Sequence, residues 1–80
     1  MEVSVQISLY PLGREHLHEE IRRFVEILGA RGLHCETGNM STIVTGDTTT
    51  VFPALQEAFE SVSSQGGCVM VSTISNACPV

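Results

Sequence analysis

Along residues 2–10 apolar and polar side chains alternate. Val3, Val5, Ile7 and Leu9 fall on one side, and Glu2, Ser4, Gln6, Ser8 and Tyr10 on the other. A period of two with β-branched residues predicts a strand with one buried face, and Pro11 and Gly13 predict its end. Leu17, Ile21, Phe24, Val25 and Leu28 then recur at spacings of three and four. That stripe predicts a helix with Glu19, Glu20, Arg22, Arg23 and Glu26 toward water, ending near Gly29 and Gly32. Leu33, Cys35 and Thr37 alternate with His34 and Glu36, and a second run covers residues 40–45 before Gly46 and Asp47 close it. The two runs predict short strands about a Gly38-Asn39 corner. Phe52, Leu55, Phe59 and Val62 mark a second helical stripe, with Thr50 as its cap, Pro53 in its first turn, and Gly66 and Gly67 after it. Residues 68–74 read as a last strand with apolar atoms on both faces.

The order strand, helix, strand, strand, helix, strand predicts an α+β fold of the split βαβ type. Two helices cover one face of a four-stranded antiparallel sheet, and the right-handed crossover rule leaves few other topologies. Eighty residues, 42% of them apolar, suit a single domain over residues 1–80 with one modest core.

Charge narrows the partners. Four Arg and no Lys stand against nine Asp plus Glu, a formal charge of −5, which repels phosphate backbones and argues against nucleic acid. No apolar stretch approaches the roughly 20 residues that span a bilayer, so neither membrane insertion nor export is expected. Cys35, Cys68 and Cys78 are widely spaced and lack a CxxC motif, which predicts reduced thiols in a cytoplasmic protein rather than a disulfide or zinc scaffold. A small core makes assembly with a second copy an expectation from the start.

The sheet face without helices is the place for chemistry. Its expected residues are Glu2, Ser4, Gln6, Ser8 and Tyr10 from the first strand and Ser41, Ile43 and Thr45 from the third, if Met40, Thr42 and Val44 point toward the helices. Such a face suits water, and its hydroxyls and one amide also suit a polar ring. His16 and His18 diverge around a helix and predict no shared metal. Nothing in the sequence joins Ser41, Cys35 or Cys68 to a histidine as a nucleophile and its base. The fold class hosts unrelated activities. An RNA-binding version carries exposed aromatics on the sheet and basic rims, whereas here Tyr10 is the sole tyrosine, tryptophan is absent and the net charge is negative. An acylphosphatase pairs an arginine cradle with an asparagine, which Arg14 and Asn39 would have to supply.

The segments ISLYPLG (7–13), CETGNMSTIVTG (35–46), VFPALQEAF (51–59) and VMVSTISNACP (69–79) together resemble the thiamine-binding family of small ferredoxin-like proteins. That family is related to tandem-domain proteins that bind thiamine and hydroxymethylpyrimidine. The most specific part is Gly38, Met40, Ser41, Thr42 and Gly46 of the middle hairpin. The resemblance implies a ferredoxin-like sandwich acting as a cytoplasmic, non-enzymatic carrier or sensor of thiamine or its pyrimidine precursor. It implies no catalytic residue, metal or cofactor, and assembly as a homodimer or homotetramer. The alternative is a structural or regulatory homo-oligomeric interaction domain with no small-molecule ligand.

On the ligand-binding expectation the hairpin and the polar side of the first strand form a small pocket. Gly38 and Gly46 supply backbone shape, and Ser41 and Thr42 supply polar contact, with Met40 directly before them in the motif. Gln6 and Asn76 offer amides. Adjacent strand residues face opposite sides, so Ser41 is expected outward beside Gln6 or Ser8, and Thr42 inward.

Overall fold

The computed structural model describes residues 1–38 and 41–77 and has the predicted order. The elements are β1 (Glu2–Pro11), α1 (Leu17–Ala30), β2 (His34–Thr37), β3 (Thr42–Asp47), α2 (Thr48–Ser63) and β4 (Cys68–Ser75). The sheet order is β2-β3-β1-β4, antiparallel throughout, so β1 is central and β2 and β4 are the edges. This is the ferredoxin-like arrangement, with both helices on one face.

The predicted alternation of β1 holds on the helix side, where Val3, Val5 and Ile7 are buried and Leu9 packs against them. Register sets Val5 opposite Val44 and Ile7 opposite Thr42. Phe24 and Leu28 of α1 and Val51, Ala54, Leu55, Ala58 and Val62 of α2 close over them, with Leu33 at the β2 end. On the other face Ser4 is buried rather than open, because it lies on the central strand between Thr45 and Ser75. In β4 the ambiguity resolves by parity. Cys68 and Met70 pack on the core, while Val69 and Val71 stand exposed on the helix-free face.

Several sequence expectations need correction. Leu17 and Phe52, placed on the apolar helical stripes, are exposed near the starts of their helices. Glu20, placed toward water, is buried. The N-cap of α2 is Asp47, not Thr50, and the helix begins at Thr48, which puts Pro53 beyond the first turn. The third strand runs on through Gly46 to Asp47 instead of stopping before them. Met40, Asn39 and Cys78 lie outside the described residues. At the end of α1, Gly32 has φ +80, where a side chain would be strained, and its N–H donates to Gly29 O at 3.0 Å.

Asp47 joins the sheet to α2. Its carboxylate accepts from the Met1 amino group at 2.8 Å, from the Thr49 hydroxyl and from Thr49 N at 3.0 Å. These hydrogen bonds, the amino group first, hold its carboxyl well below the usual carboxylate range. A depressed folded-state pKa contributes stability above the unfolded value, near about pH 4, and that stability is lost as pH falls through the folded value. Thermal melts from pH 6 down to pH 2 should therefore show a loss beginning near about pH 4. The loss should be smaller in Asp47→Asn, and equal slopes in the two proteins would remove Asp47 as its source.

Candidate functional site

One end of the sheet opens into a hollow of about 280 Å³ between β1, α1 and the β2–β3 hairpin. Alternation in β1 delivers Ile7 and Leu9 to its floor, and helical spacing in α1 sets Ile21 and Phe24 one turn apart beside them. The hairpin forms the opposite wall with Thr37, Gly38, Ser41 and Thr42, and Tyr10 completes the lining. Gly38 N donates to Ser41 O at 2.8 Å and fixes the base of that wall. Among the described residues that line it, none carries a charge. An apolar floor with hydroxyls on one side suits a flat, uncharged ring whose edge donates and accepts hydrogen bonds.

This hollow brings together Gly38, Ser41 and Thr42 of the residues singled out from the sequence. Ser41 precedes β3, so strand alternation does not govern it, and both it and Thr42 border the same space. That departs from the expectation that Ser41 stands on the helix-free face. Thr42 is 6% exposed and lies on the helix side, as expected. Gly38 does not have a positive φ, and a Cβ there meets only Ser41 O at 3.4 Å.

The remaining candidates lie elsewhere. Gln6 is on the helix-free face, flanked by Ile43 and Thr73, where an open basin of about 380 Å³ also touches Glu36 and Ser75. Gly46 is opposite Val3, packed beneath Leu33. Asn76 follows β4 at the same end, its amide 3.9 Å from Met1 Sδ. Gly46 is five residues along β3 from Ser41, roughly 17 Å at strand rise.

A third concavity, about 410 Å³, lies around Arg14, His16, Glu19 and Arg23. Arg14 is not an open anion cradle. It pairs with Glu20, donates through Nη1 to Val62 O at 3.0 Å and through Nη2 to Gly67 O at 2.5 Å, and reaches Leu12 O through Nε at 3.4 Å. Its donors are engaged by a carboxylate and by the C-terminal end of α2, so the guanidinium acts as a strut. Sequence reasoning missed Glu20, yet the signal was present. Glu20 is four residues before Phe24 and eight before Leu28, on the buried face of α1.

Among the described residues no group of three His, Cys, Asp or Glu is placed to hold a metal. His34 meets Glu36 at 3.3 Å on the exposed face of β2. Burial pushes the thiols of Cys35 and Cys68 up, away from the thiolate form that a nucleophile needs. No described helix is long and apolar enough to cross a membrane.

Comparison with known proteins agrees with this architecture. The family described as the YKOF-related Family matches residues 2–80. A hypothetical protein of Methanocaldococcus jannascii superposes with a TM-score of 0.87 at 23% identity, over 99% of this chain and 84% of that one. A Thermotoga maritima protein provisionally assigned to thiamine biosynthesis or salvage gives 0.82 at 25% identity, over 94% and 83%. A Bacillus cereus domain of unknown function gives 0.82 at 14% identity, over 100% and 80%. No curated protein matches the chain.

Proposed function

We propose a function from one premise: this chain belongs to the YKOF-related family. It is a non-enzymatic small-molecule binder, and its ligand is thiamine or the hydroxymethylpyrimidine half of thiamine, carried or sensed in the cytoplasm. The observation that carries this reading is the uncharged hollow, apolar on its α1 and β1 sides and bordered by Thr37, Ser41 and Thr42. An aminopyrimidine offers ring nitrogens as acceptors and an exocyclic amine as donor, which hydroxyls and backbone groups of the hairpin match. The thiamine-linked Thermotoga maritima structure supports the ligand class. The thiazolium of thiamine would then lie toward the mouth, where a net charge of −5 favours a cation.

Calorimetry with thiamine, hydroxymethylpyrimidine and a purine control tests this directly. Heat and a thermal shift with one of the first two, and none with the purine, are expected. Silence with all three rejects the proposal. Ser41→Ala and Thr42→Val should each weaken binding by about 1 kcal/mol, the worth of one hydrogen bond. Gln6→Ala and Asn76→Ala, away from the hollow, should leave affinity unchanged. A loss confined to Gln6→Ala would move the ligand to the helix-free face.

A second reading, a homo-oligomeric interaction domain without a ligand, is favoured by the exposed Ile43, Val69 and Val71 on that face. An oligomer that binds none of the three compounds would support it over the first.

A further inference from the structure

The lining of the hollow decides which chemical form of a ring alcohol it can hold. A hydroxymethyl group exists either free or as its phosphate ester, and a phosphate monoester carries a charge of about −1.5 to −2 at neutral pH. Such an anion leaves water only for a cation or for several N–H donors. The cationic side chains of this chain, Arg14, Arg22, Arg23 and Arg31 with His16, His18 and His34, all lie among the described residues, and none of them lines the hollow.

Their positions account for this. Arg14 holds Glu20 and the end of α2. Arg31 Nη2 pairs with Glu57 at 2.7 Å, beyond the far end of α1, roughly 15 Å from Ile21 along the helix axis. Arg23 and His16 border the third concavity with Glu15, Glu19 and Glu20. His34 meets Glu36. Arg22 and His18 are exposed on α1 near Ile21, and Glu19 and Glu26 lie within about one turn of Arg22 on the same surface. The helix N-termini offer no substitute. Asp47 caps α2 at the opposite end of β3 from Ser41, and the first turn of α1 carries Glu19 and Glu20. In the hairpin wall Gly38 N already donates to Ser41 O. Size acts in the same direction. At about 280 Å³ the hollow is smaller than most ligand pockets, so one ring fills it and leaves no room for a hydrated phosphate.

We propose that the hollow takes hydroxymethylpyrimidine as the free alcohol and excludes its phosphate ester. The inference rests on the hollow being the ligand site. Phosphoryl transfer from a nucleoside triphosphate forms an O–P bond at the hydroxyl oxygen of the ligand, breaks the bond to the bridging oxygen of the donor and releases the hydroxyl proton. Its product is a form this site no longer holds, so a kinase of that class consumes what the protein carries. In thiamine the hydroxyl is on the thiazolium side, toward the mouth, where a phosphate stays in water and is opposed only by the net charge of −5.

Calorimetry with hydroxymethylpyrimidine, its monophosphate, thiamine and thiamine monophosphate, at about 0.15 M and about 1 M salt, tests the selection. The pyrimidine monophosphate should bind at least about 100-fold more weakly than the alcohol at both salt concentrations, because desolvation and not a screened surface field opposes it. Thiamine monophosphate should fall less than about tenfold below thiamine and converge with it at high salt. Thr37→Lys, which sets an ammonium on the hairpin wall, should return at least about tenfold of the affinity for the pyrimidine monophosphate. The double variant His18→Gln, Arg22→Gln should alter the affinity for neither pyrimidine compound. A pyrimidine monophosphate that binds within about threefold of the alcohol, or whose affinity depends on His18 and Arg22, would overturn the selection while leaving the ligand site in place. Thiamine bound without the free pyrimidine alcohol would overturn it as well. Silence with all four compounds would remove the ligand site itself.

Discussion

Glu20→Ala is expected to destabilise the protein by about 3–5 kcal/mol, the cost of leaving one charge of a buried pair uncompensated. The side chains of Arg14 and Glu20 are only 12% and 8% exposed, so water cannot readily take the place of the lost carboxylate. The guanidinium would keep its bonds to Val62 O and Gly67 O, and both depend on its position. It joins the loop after β1 to the first turn of α1, the last turn of α2 and the residue before β4. An 80-residue domain has a total stability on the order of 5–15 kcal/mol, so the loss is a large share of the whole. Arg14→Met leaves Glu20 buried alone and should cost as much. The double variant Arg14→Met, Glu20→Leu should recover part of the loss, since it removes both desolvated charges together. Urea titrations of the wild type, Arg14→Met, Glu20→Leu and the double variant form the cycle. A single-variant loss below about 1 kcal/mol would show that the pair is solvated and marginal.

That strut also shows where sequence patterning reaches its limit. The element order and the helix-covered face follow from periods of 2 and 3.6, because Val3, Val5, Ile7, Phe24, Leu28 and Val62 all obey them. Glu20 obeys the helical period too, but its charge suggested solvent. Its partner Arg14 sits in a loop, and no periodicity links a loop residue to a helix face. The α2 cap was misplaced for a related reason. Three threonines offered equivalent hydroxyls, while the carboxylate that caps the helix also terminates β3.

The hollow was half legible. Gly38, Ser41 and Thr42 stood out as a hairpin motif, but the floor residues Ile7, Leu9, Ile21 and Phe24 looked like ordinary core, which most of them also are. The assumption that failed was alternation at Ser41. A residue one step outside a strand is positioned by the turn, here through the Gly38–Ser41 backbone bond, and not by the pleat.

Gly46→Ala is expected to lower stability by about 1–3 kcal/mol through overpacking, with ligand affinity unchanged below the melting transition. Gly46 lies on the helix side of β3, where a Cβ would fall inside the contact radius of Leu33 Cδ2 and 3.4 Å from Val51 Cγ2. Leu33 and Val51 are both buried, so Leu33 must leave its rotamer or β3 must shift. Gly46→Val, with two further methyl groups in the same place, should cost more. Shortening the neighbour supplies the control. Leu33→Val alone loses a methylene from the core, but combined with Gly46→Ala it vacates space for the new methyl, so the two losses should sum to more than the double variant shows. This separates two roles for one glycine. A packing glycine gives a lower melting temperature, rescue by Leu33→Val and normal calorimetry. A glycine that lets a ligand approach the backbone gives a normal melting temperature and weakened calorimetric binding. The distance of Gly46 from the hollow and its place beneath Leu33 favour the first outcome. Additive losses in the Leu33 cycle would show that the close approach is relieved elsewhere in the core.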